Sequence, residues 1–362
     1  MFELPTPSLI IDAEIVRRNL RRMADYTREH GLALRPHTKT HKSRELAALQ
    51  LREGGAAGLT VAKLGEAEIM ADVTDDLLLA YPVVDARRAA GAAKLAKRTQ
   101  LRVAIDSASA AQVLGAAAVA AGATIGILVD VDVGLHRTGV QSPAETLALA
   151  QVVDSTAGLR LDGLFFFPGH LPPVPARQID GLLAIGALLG EALNLWRISG
   201  LHATIVSGGS TPSALNSHHV GHLTEIRPGT YIFNDMNCVH GGSAKLEDCA
   251  ARIVATVVST AVPGQVVLDA GSKTLSTDMC GPAPTAGHGQ IVEFPQASIV
   301  KLSEEHAQVD ITACDRAPQL GAQVTIVPNH ICPCVNLQDQ VYWLEPGETP
   351  RPLSVDARGK VF

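Results

Sequence analysis

The feature that most constrains the fold of this 362-residue chain is the alternation of short apolar runs with Ala- and Leu-rich stretches over its first two-thirds. The runs are rich in β-branched residues, and the stretches between them have helical periodicity. About eight strand–helix units result, which is the count of a (β/α)8 barrel, although two strands more or fewer would leave a doubly wound sheet. The continuous apolar character of the runs fits a parallel sheet that is buried on both faces. The predicted strands cover residues 32–34, 58–62, 77–81, 101–105, 125–130, 161–166, 203–206 and 225–227, and the predicted helices 43–52, 86–98, 108–121, 143–153 and 176–195.

After about residue 245 the pattern changes to short strands separated by Gly, Pro and Asp turns, without long helical patterns. An opening strand at 8–12 and a helix at 13–30 precede the first barrel strand. A closed barrel has no place for a ninth strand, so we expect the opening strand to pair with the C-terminal region. The sequence predicts an α/β barrel over 13–240 and a β-rich domain made of 1–12 and 241–362. The predicted C-terminal strands cover residues 252–260, 265–269, 290–294, 298–302, 323–327 and 340–344.

Composition excludes several classes of protein. The formal net charge is −6, and no basic patch is needed to explain the Lys and Arg residues, which argues against a nucleic-acid partner. The N-terminus lacks the basic and apolar regions of a signal peptide, and no apolar run reaches the roughly 18 residues of a membrane-spanning helix. Six Cys residues at irregular spacing are typical of reduced thiols. We therefore expect a cytoplasmic protein without a membrane or nucleic-acid partner.

Lys39 lies in the segment Leu34-Arg-Pro-His-Thr-Lys-Thr-His41, just after the first predicted barrel strand. Active sites of such barrels lie at this end of the strands, and a partly desolvated lysine can attack an aldehyde such as pyridoxal phosphate (PLP). A single lysine is more often a solvated surface residue. Lys42 and Lys63 are competitors; we expect Lys42 to be more exposed at the start of the next helix, and Lys63 to be a supporting charge after the second strand.

Two glycine turns after consecutive strands indicate an anion site. Ser207-Gly-Gly-Ser-Thr211 follows the seventh predicted strand, and Arg227-Pro-Gly-Thr-Tyr231 follows the eighth. Glycines let the backbone approach a phosphate closely, and hydroxyls and free N–H groups donate to it. Loops after strands seven and eight are where barrels often hold phosphate, although a plain strand–helix turn uses the same residue types. The candidate phosphate residues are Gly208, Gly209, Ser210 and Thr211 in the first turn and Gly229 and Thr230 in the second.

His330 and Cys332 form a candidate metal pair. On an extended segment residues i and i+2 point the same way, so both side chains would face one ion. Imidazole and thiolate are good zinc ligands, and two protein ligands leave positions open for substrate, as a catalytic metal needs. The alternative is a structural Cys packed in the β-rich domain beside a surface His. We expect Cys334 to be buried and inert, because Pro333 bends the chain between the two thiols.

The chain resembles the D-serine dehydratase / D-threonine aldolase family, PLP enzymes with the alanine racemase fold (fold type III), over essentially its whole length. The resemblance implies that Lys39 carries PLP, that Gly229 and Thr230 complete the phosphate site, and that Arg227 or Tyr231 faces the cofactor ring. Besides the Lys39 motif it rests on Thr6-Pro-Ser-Leu-Ile-Ile-Asp12, Val61-Ala-Lys-Leu-Gly-Glu-Ala-Glu68, Ser207-Gly-Gly-Ser-Thr-Pro-Ser213, Glu225-Ile-Arg-Pro-Gly-Thr-Tyr-Ile-Phe233, Leu268-Asp-Ala-Gly-Ser-Lys273 and Leu302-Ser-Glu-Glu-His306.

Two further segments bear on the cofactor. Arg137 lies in an Asp-x-Gly-x-x-Arg-x-Gly pattern similar to that of alanine racemases, which implies a cation near the phenolic oxygen of the cofactor. Its alternative role is to cap the loop by pairing with Asp130 or Asp132. Phe167 departs from the family, since relatives often carry a Tyr near this point and Phe cannot donate a hydrogen bond. His170, after the sixth strand, is a candidate to face the site.

The resemblance also implies a reaction. A His-x-Cys pair binds zinc in the family's D-serine and hydroxyaspartate dehydratases, whereas the D-threonine aldolases generally carry His-x-Asp. We therefore expect a PLP-dependent lyase that uses a divalent metal, zinc before manganese or magnesium, to dehydrate and deaminate a D-3-hydroxy amino acid. The alternatives are retro-aldol cleavage to glycine and an aldehyde, a racemase, which needs a second base and no metal, and a non-catalytic PLP-binding protein, which usually lacks a β-rich domain. The family's site lies between two subunits, so a homodimer is expected.

Overall fold

The computed structural model of the chain describes residues 4–279 and 287–362. Cys280 and the first three residues of the predicted β-rich domain lie outside the described residues. The chain divides into two compact units. One consists of Met1–Leu20, Thr40–Ser43 and Thr230–Arg358, and the other of Arg21–Lys39, Arg44–Gly229 and Gly359–Phe362. The predicted domain boundaries at residues 13 and 240 stay a prediction.

Strands and helices alternate in the first part of the chain, and strands predominate in the rest. The strands are β1 Ser8–Asp12, β2 Ala33–Leu34, β3 Leu59–Val61, β4 Asp76–Leu79, β5 Gln100–Ile105, β6 Ile125–Val131, β7 Leu159–Phe166, β8 Ile205–Gly208, β9 Glu225–Ile226, β10 Ala251–Ser259, β11 Gln265–Leu268, β12 Gln290–Ile291, β13 Ser298–Leu302, β14 Ala307–Asp310, β15 Gln323–Val327, β16 Gln340–Leu344 and β17 Arg351–Ser354. The α-helices are α1 Ala13–Glu29, α2 Arg44–Arg52, α3 Leu64–Met70, α4 Ala86–Ala96, α5 Ala108–Ala121, α6 Pro143–Ser155, α7 Ile179–Ile198, α8 Met236–His240, α9 Ser272–Leu275 and α10 Ile331–Asn336.

The eight strands β2 to β9 form one parallel sheet in the order β2-β9-β8-β7-β6-β5-β4-β3. Two isolated parallel bridges, Leu34 to Ala56 and His37 to Thr60, join the two ends of this order. Every residue of β6 is buried, as expected for a strand covered on both faces. All eight predicted strands are confirmed, and the curled sheet holds the carboxyl ends of its strands at one edge, where a barrel carries its active site.

Helix α7 is longer and more apolar than expected from the sequence, since no apolar run was expected to reach the length of a membrane-spanning helix. It has 20 residues, and by length and composition alone it could cross a membrane. Its buried residues, which include Leu182, Leu189 and Trp196, recur at helical spacing. The Trp196 indole donates to the hydroxyl of Thr146 in α6 at 3.1 Å. Helix α7 connects the parallel strands β7 and β8 and packs against α6, so its apolar length is weak evidence for a membrane span.

The unit that contains Thr230–Arg358 is built on a mixed sheet in which β1 lies between β10 and β16. Strand β1 pairs antiparallel with β10 and parallel with β16, which confirms that the opening strand joins the C-terminal region. Alternate residues of β10 are buried, so this sheet packs its core on one face. The six predicted C-terminal strands are confirmed, whereas β14 and β17 were missed.

A chain of buried ion pairs crosses the barrel. Arg35, just after β2, donates to Glu225 at 2.9 Å and to Asp76 at 2.6 Å. Arg102 of β5 donates to the same Asp76 at 2.6 Å and to Asp162 of β7 at 2.9 Å. The side chains of Arg35 and Glu225 are only 4% and 5% exposed. These buried charges are compensated within the network, which ties four strands together.

Replacing Glu225 with Gln is expected to destabilise the chain by about 3 kcal/mol, because it removes one of the two carboxylates that compensate the buried Arg35 and leaves only Asp76. Urea unfolding measures the loss. Glu305→Gln is the matched control, since that carboxylate is 61% exposed and pairs with an exposed Lys273. It should change the free energy of unfolding by no more than about 0.5 kcal/mol. Equal losses in the two variants would contradict the role given to the buried network.

Candidate active site

Lys39 lies at the carboxyl-end edge of the barrel, in a single 3-10 turn, Thr38–Thr40, that follows β2. The side chains of Thr38 and Thr40 are fully buried, whereas Lys39 is exposed. The backbone N–H of His37 donates to the carbonyl of Pro228 at 3.0 Å, so this segment runs beside the loop that follows β9. The turn is thus held on both sides while the lysine side chain projects from it, accessible to an aldehyde.

The amines of the two competing lysines, Lys42 and Lys63, both contact other side chains. Lys42 was expected to be the more exposed, and this expectation is wrong: it is 5% exposed, has φ +52° and donates its amine to the Asn336 side-chain oxygen at 2.7 Å. The reason is that the chain does not enter α2 directly but turns through a left-handed residue first. The amine of Lys63 lies 3.5 Å from the centre of the Tyr81 ring, a cation–π contact. Both amines therefore have a side-chain partner, whereas the Lys39 amine has none among the described residues.

The two predicted phosphate loops meet. The backbone N–H of Gly229 donates to the Thr211 hydroxyl at 3.2 Å. Gly209 is buried and has φ +85°, the left-handed region that favours glycine. Within the described part of the chain, the N–H groups of the buried Gly209 and the half-buried Ser210 have no hydrogen-bond acceptor, although buried N–H groups are normally paired. Such N–H groups in a turn after a strand fit an anion.

Three neighbours of these loops are engaged inside the barrel. A side chain on Gly208 would overlap the Phe166 ring, so this glycine is required by packing. Ser207 is fully buried, donates to Glu225 at 2.5 Å and accepts from Arg227 at 2.6 Å. The Arg227 guanidinium also donates to the Phe166 carbonyl and lies 3.7 Å from the centre of the Phe165 ring. Burial lowers the pKa of Arg227 to about 9.

Arg137 is exposed on the loop after β6, with its guanidinium carbon 4.8 Å from the centre of the Phe167 ring. Phe167, the residue that departs from the family pattern, thus supports Arg137 through its ring face. Arg137 forms no ion pair with any described residue. The loop is capped instead by Asp132, which accepts the N–H groups of Gly134 and His136 at 2.9 and 3.0 Å. The guanidinium therefore remains available to an anionic oxygen.

Asp130 is a buried carboxyl group that the sequence did not single out for the site. It lines a cavity of about 10 Å³ together with Arg137, Thr138 and Phe167. Burial raises its pKa to about 6, while Thr138 and Arg227 act in the opposite direction. His170 is exposed, and its ring lies against Gly134. Asp130 is therefore a titratable group that lines the same cavity as Arg137.

Tyr231 and Thr230, the last two predicted cofactor residues, belong to a short turn, Thr230–Ile232. Tyr231 is 3% exposed. The Thr230 hydroxyl lies 3.7 Å from the sulfur of Cys332. The Cys332 thiol also donates to the hydroxyl of Thr40, the residue that follows Lys39 in the chain, at 3.3 Å. Both hydroxyls lie beside the thiol of the predicted metal pair.

His330 and Cys332 come together, but by another route than predicted. The expectation of an extended segment is wrong, because His330 is the N-cap of α10 and Cys332 lies in its first turn. Pro333 fits that first turn, where its missing N–H is not needed, so it does not bend the chain. Cys332 and, more weakly, the neighbouring Asp278 raise the pKa of His330 to about 9. Cys334 is fully buried, as expected, and donates to the carbonyl of Leu275 at 3.2 Å.

The donors around this pair fit an ion that is held by few protein ligands. In residues 4–279 and 287–362 no group of three or more His, Cys, Asp or Glu side chains is arranged to hold a metal. A structural zinc site normally has four protein ligands. A His and a Cys with two hydroxyls near the sulfur therefore fit a catalytic ion whose remaining positions are open.

Comparisons with known proteins agree with this architecture. The family models described as "Alanine racemase, N-terminal domain" and "Putative serine dehydratase domain" match residues 11–236 and 250–344. A D-threonine aldolase of Arthrobacter sp. is 33% identical, over 98% of this chain and 93% of the relative. A D-threo-3-hydroxyaspartate dehydratase of Delftia sp. (strain HT23) is also 33% identical, over 92% of each.

Solved structures extend the likeness to three dimensions. The crystal structure of D-threonine aldolase from Filomicrobium marinum superposes with a TM-score of 0.91 at 31% identity, over 99% of this chain and 97% of that one. A variant of a D-threo-3-hydroxyaspartate dehydratase in a metal-free form has a TM-score of 0.90 at 29% identity, over 97% of both chains. PLP is the cofactor that is consistent with this family of enzymes. The chain therefore belongs to the D-serine dehydratase and D-threonine aldolase family of PLP-dependent lyases with the alanine racemase fold.

Proposed function

We propose that this chain is a metal-dependent dehydratase of D-3-hydroxy amino acids, of the D-serine or D-3-hydroxyaspartate type, which releases a 2-oxo acid and ammonia. The observation that carries the proposal is the meeting of a thiol and an imidazole, Cys332 and His330, in a chain of this family. Thiolate and imidazole are the ligands that suit zinc, with manganese and magnesium as alternatives. Support from similarity comes from the Delftia dehydratase, which is 33% identical.

In the proposed reaction the barrel residues bind the cofactor and handle the proton. Lys39 would hold PLP through its exposed amine, and the N–H groups of Gly209 and Ser210 with the Thr211 hydroxyl would hold the phosphate. Arg137 would stabilise an anionic oxygen on the ring. When bound, PLP spreads the negative charge that develops at Cα. The Lys39 amine would take the Cα proton as a general base.

His330 and Cys332 would hold the metal ion. The chemistry that a divalent ion would supply there is Lewis-acid assistance to the departure of the β-hydroxyl. The hydroxyls of Thr40 and Thr230, next to the Cys332 sulfur, can donate to a departing hydroxide. The metal pair and the two threonines would act only on the β-hydroxyl of the substrate. Their loss would therefore affect elimination and not proton removal at Cα.

The alternative is retro-aldol cleavage, and the 33% identity to the Arthrobacter aldolase favours it. The same lysine and metal pair serve there, with the hydroxyl proton removed and the Cα–Cβ bond broken. The two reactions leave different products. Purified protein incubated with D-serine, D-threonine and D-3-hydroxyaspartate should yield 2-oxo acid and ammonia, and no glycine. Glycine with an aldehyde would establish the aldolase reaction instead, and no product with PLP and metal bound would contradict both.

The phosphate site can be tested at Gly209. In Gly209→Val the valine is strained at the left-handed φ of Gly209, and its added carbon meets Ser217 and Ile226 at 3.3 to 3.4 Å. The loop must therefore shift, which moves its N–H groups away from a bound anion. We expect PLP affinity to fall at least about tenfold, as a lost charge-assisted hydrogen bond contributes about 1.5–3 kcal/mol. Titration followed by visible absorbance measures this. Gly200→Val is the control, because Gly200 has φ +78° and nothing within 4 Å of its added carbon. Equal PLP affinity in both variants would refute the site.

A further inference from the structure

Asp278 makes a side-chain contact with the predicted metal pair that the sequence did not indicate. Its carboxylate oxygen lies 2.6 Å from Nδ1 of His330, a residue 52 positions later in the chain. Both side chains are substantially exposed, 46% for Asp278 and 39% for His330. An ion pair so exposed contributes little to stability. The contact therefore calls for an explanation other than holding the fold.

The backbone around Asp278 is fixed from the same side. Asn329, which directly precedes His330, is 2% exposed, and its amide donates to the carbonyls of Asp278 and Gly287 at 3.0 and 2.9 Å. The backbone N–H of Asp278 donates to the Ser276 hydroxyl at 3.3 Å. A buried side chain thus holds the main chain of Asp278 in place beside the imidazole that follows it.

The helix that carries Cys332 is anchored as firmly. The carboxylate of Asp235, which is 1% exposed, accepts the N–H of Ile331 at 3.1 Å. The Cys334 thiol donates to the carbonyls of Leu275 and His330 at 3.2 Å each. Leu275 ends α9, three residues before Asp278. The scaffold therefore fixes both the start of α10 and the segment that presents the Asp278 carboxylate.

The consequence lies in the chemistry of the imidazole ring. A carboxylate that accepts from Nδ1 fixes the tautomer in which Nδ1 carries the proton, so Nε2 keeps its lone pair for an ion. It also fixes the ring orientation and raises the basicity of the other nitrogen. Asp278 is not itself part of a group of three metal-binding side chains among the described residues. Asp278 therefore contacts the candidate metal ligand His330 without being a ligand itself.

We propose that Asp278 is a positioning residue that prepares His330 to bind the metal through Nε2. The inference rests on the proposed function, since it needs a metal at His330 and Cys332. It adds that a site with only two protein ligands depends on this third side chain for its affinity. Loss of such a carboxylate behind a metal-binding histidine typically costs 10–100-fold in metal affinity.

The test measures Zn²⁺ affinity by competition with a chromophoric chelator, on the protein with PLP bound and without turnover. Asp278→Asn keeps the shape of the side chain but removes its charge, and we expect the dissociation constant to rise about 10- to 100-fold. Asp278→Glu, which restores a carboxylate, should recover part of the affinity. The matched control is Asp339→Asn, which removes an 85% exposed carboxylate of the same unit that pairs with Arg358. It should leave the dissociation constant unchanged.

The outcomes separate the two ideas. If the wild-type chain binds Zn²⁺ no more tightly than the double variant His330→Ala/Cys332→Ala, the proposed function fails. If the wild type binds tightly and Asp278→Asn binds equally tightly, the role given to Asp278 is refuted while the metal site stands. Urea unfolding of the metal-free proteins should give the same midpoint for wild type and Asp278→Asn. A loss of stability matching the loss of affinity would make Asp278 a structural residue and overturn the inference.

Discussion

Lys39→Ala is expected to lose the visible absorbance of bound PLP and to lower turnover by at least about 10²–10⁴-fold, the contribution of a positioned general base. The side chain is exposed on a turn whose neighbours are buried. Among the described residues its amine has no partner, unlike the amines of Lys42 and Lys63. Borohydride reduction of the wild type followed by peptide mapping should label the peptide that contains Lys39.

The competing lysines supply the controls. Lys63→Met removes an amine that lies over the Tyr81 ring, and Lys42→Met removes one that donates to Asn336. Lys63→Met should keep the cofactor absorbance, and Lys42→Met should keep it in the fraction that remains folded. Label at either of these lysines, or unchanged absorbance in Lys39→Ala, would overturn the assignment of the cofactor to Lys39.

Removal of the metal is expected to lower elimination by about 10²–10⁴-fold while leaving the fold and the PLP absorbance intact, because a Lewis-acid ion contributes several kcal/mol to such a step. Cys332→Ala should have the same effect, since His330 alone cannot hold the ion tightly. The treated enzyme should still exchange the Cα proton of a D-amino acid with solvent, because Lys39 and PLP suffice for that step. Oxo acid formation and proton exchange are measured on the same samples.

Cys334→Ala is the matched control for this prediction. Its thiol is two residues away but fully buried, with the carbonyls of Leu275 and His330 as acceptors, and burial raises its pKa. It should keep the metal dependence of the wild type, with any loss confined to stability. Full elimination after verified metal removal would refute the mechanism, and unfolding on chelation would make the metal structural.

Barrel strands could be predicted from sequence because the signal lies within each strand. A run such as β6, buried at every residue, must be apolar throughout, whichever strands pair with it. Strands β14 and β17 have four residues each and include exposed positions, so they show no such run. Helix α3 was missed as well: its seven residues include Gly65, Glu66 and Glu68, too short and polar a stretch for a clear helical period.

Residue types were easier to predict at the site than contacts. The pair of His330 and Cys332 follows from ligand chemistry, but its geometry does not, because Pro333 is compatible both with a bend and with the first turn of a helix. Asp278 could not be found, since nothing in the sequence links an acidic residue to a histidine in another segment. Lys42 was misjudged because its burial depends on φ +52° and on Asn336, neither of which leaves a local pattern.

Strand β1 has a consequence for how the chain is made. It leaves the ribosome well before its partners β10 and β16, which hold residues 251–259 and 340–344. Until they are synthesised, β1 is an apolar strand with two unpaired edges, the kind of segment that joins other chains. Most barrel strands pair with the next or the preceding strand in the sequence, whereas β1 must wait for β10 and β16. Pairings of such sequence separation slow folding, which makes chaperone dependence and misassembly during rapid expression the expected weakness of this architecture.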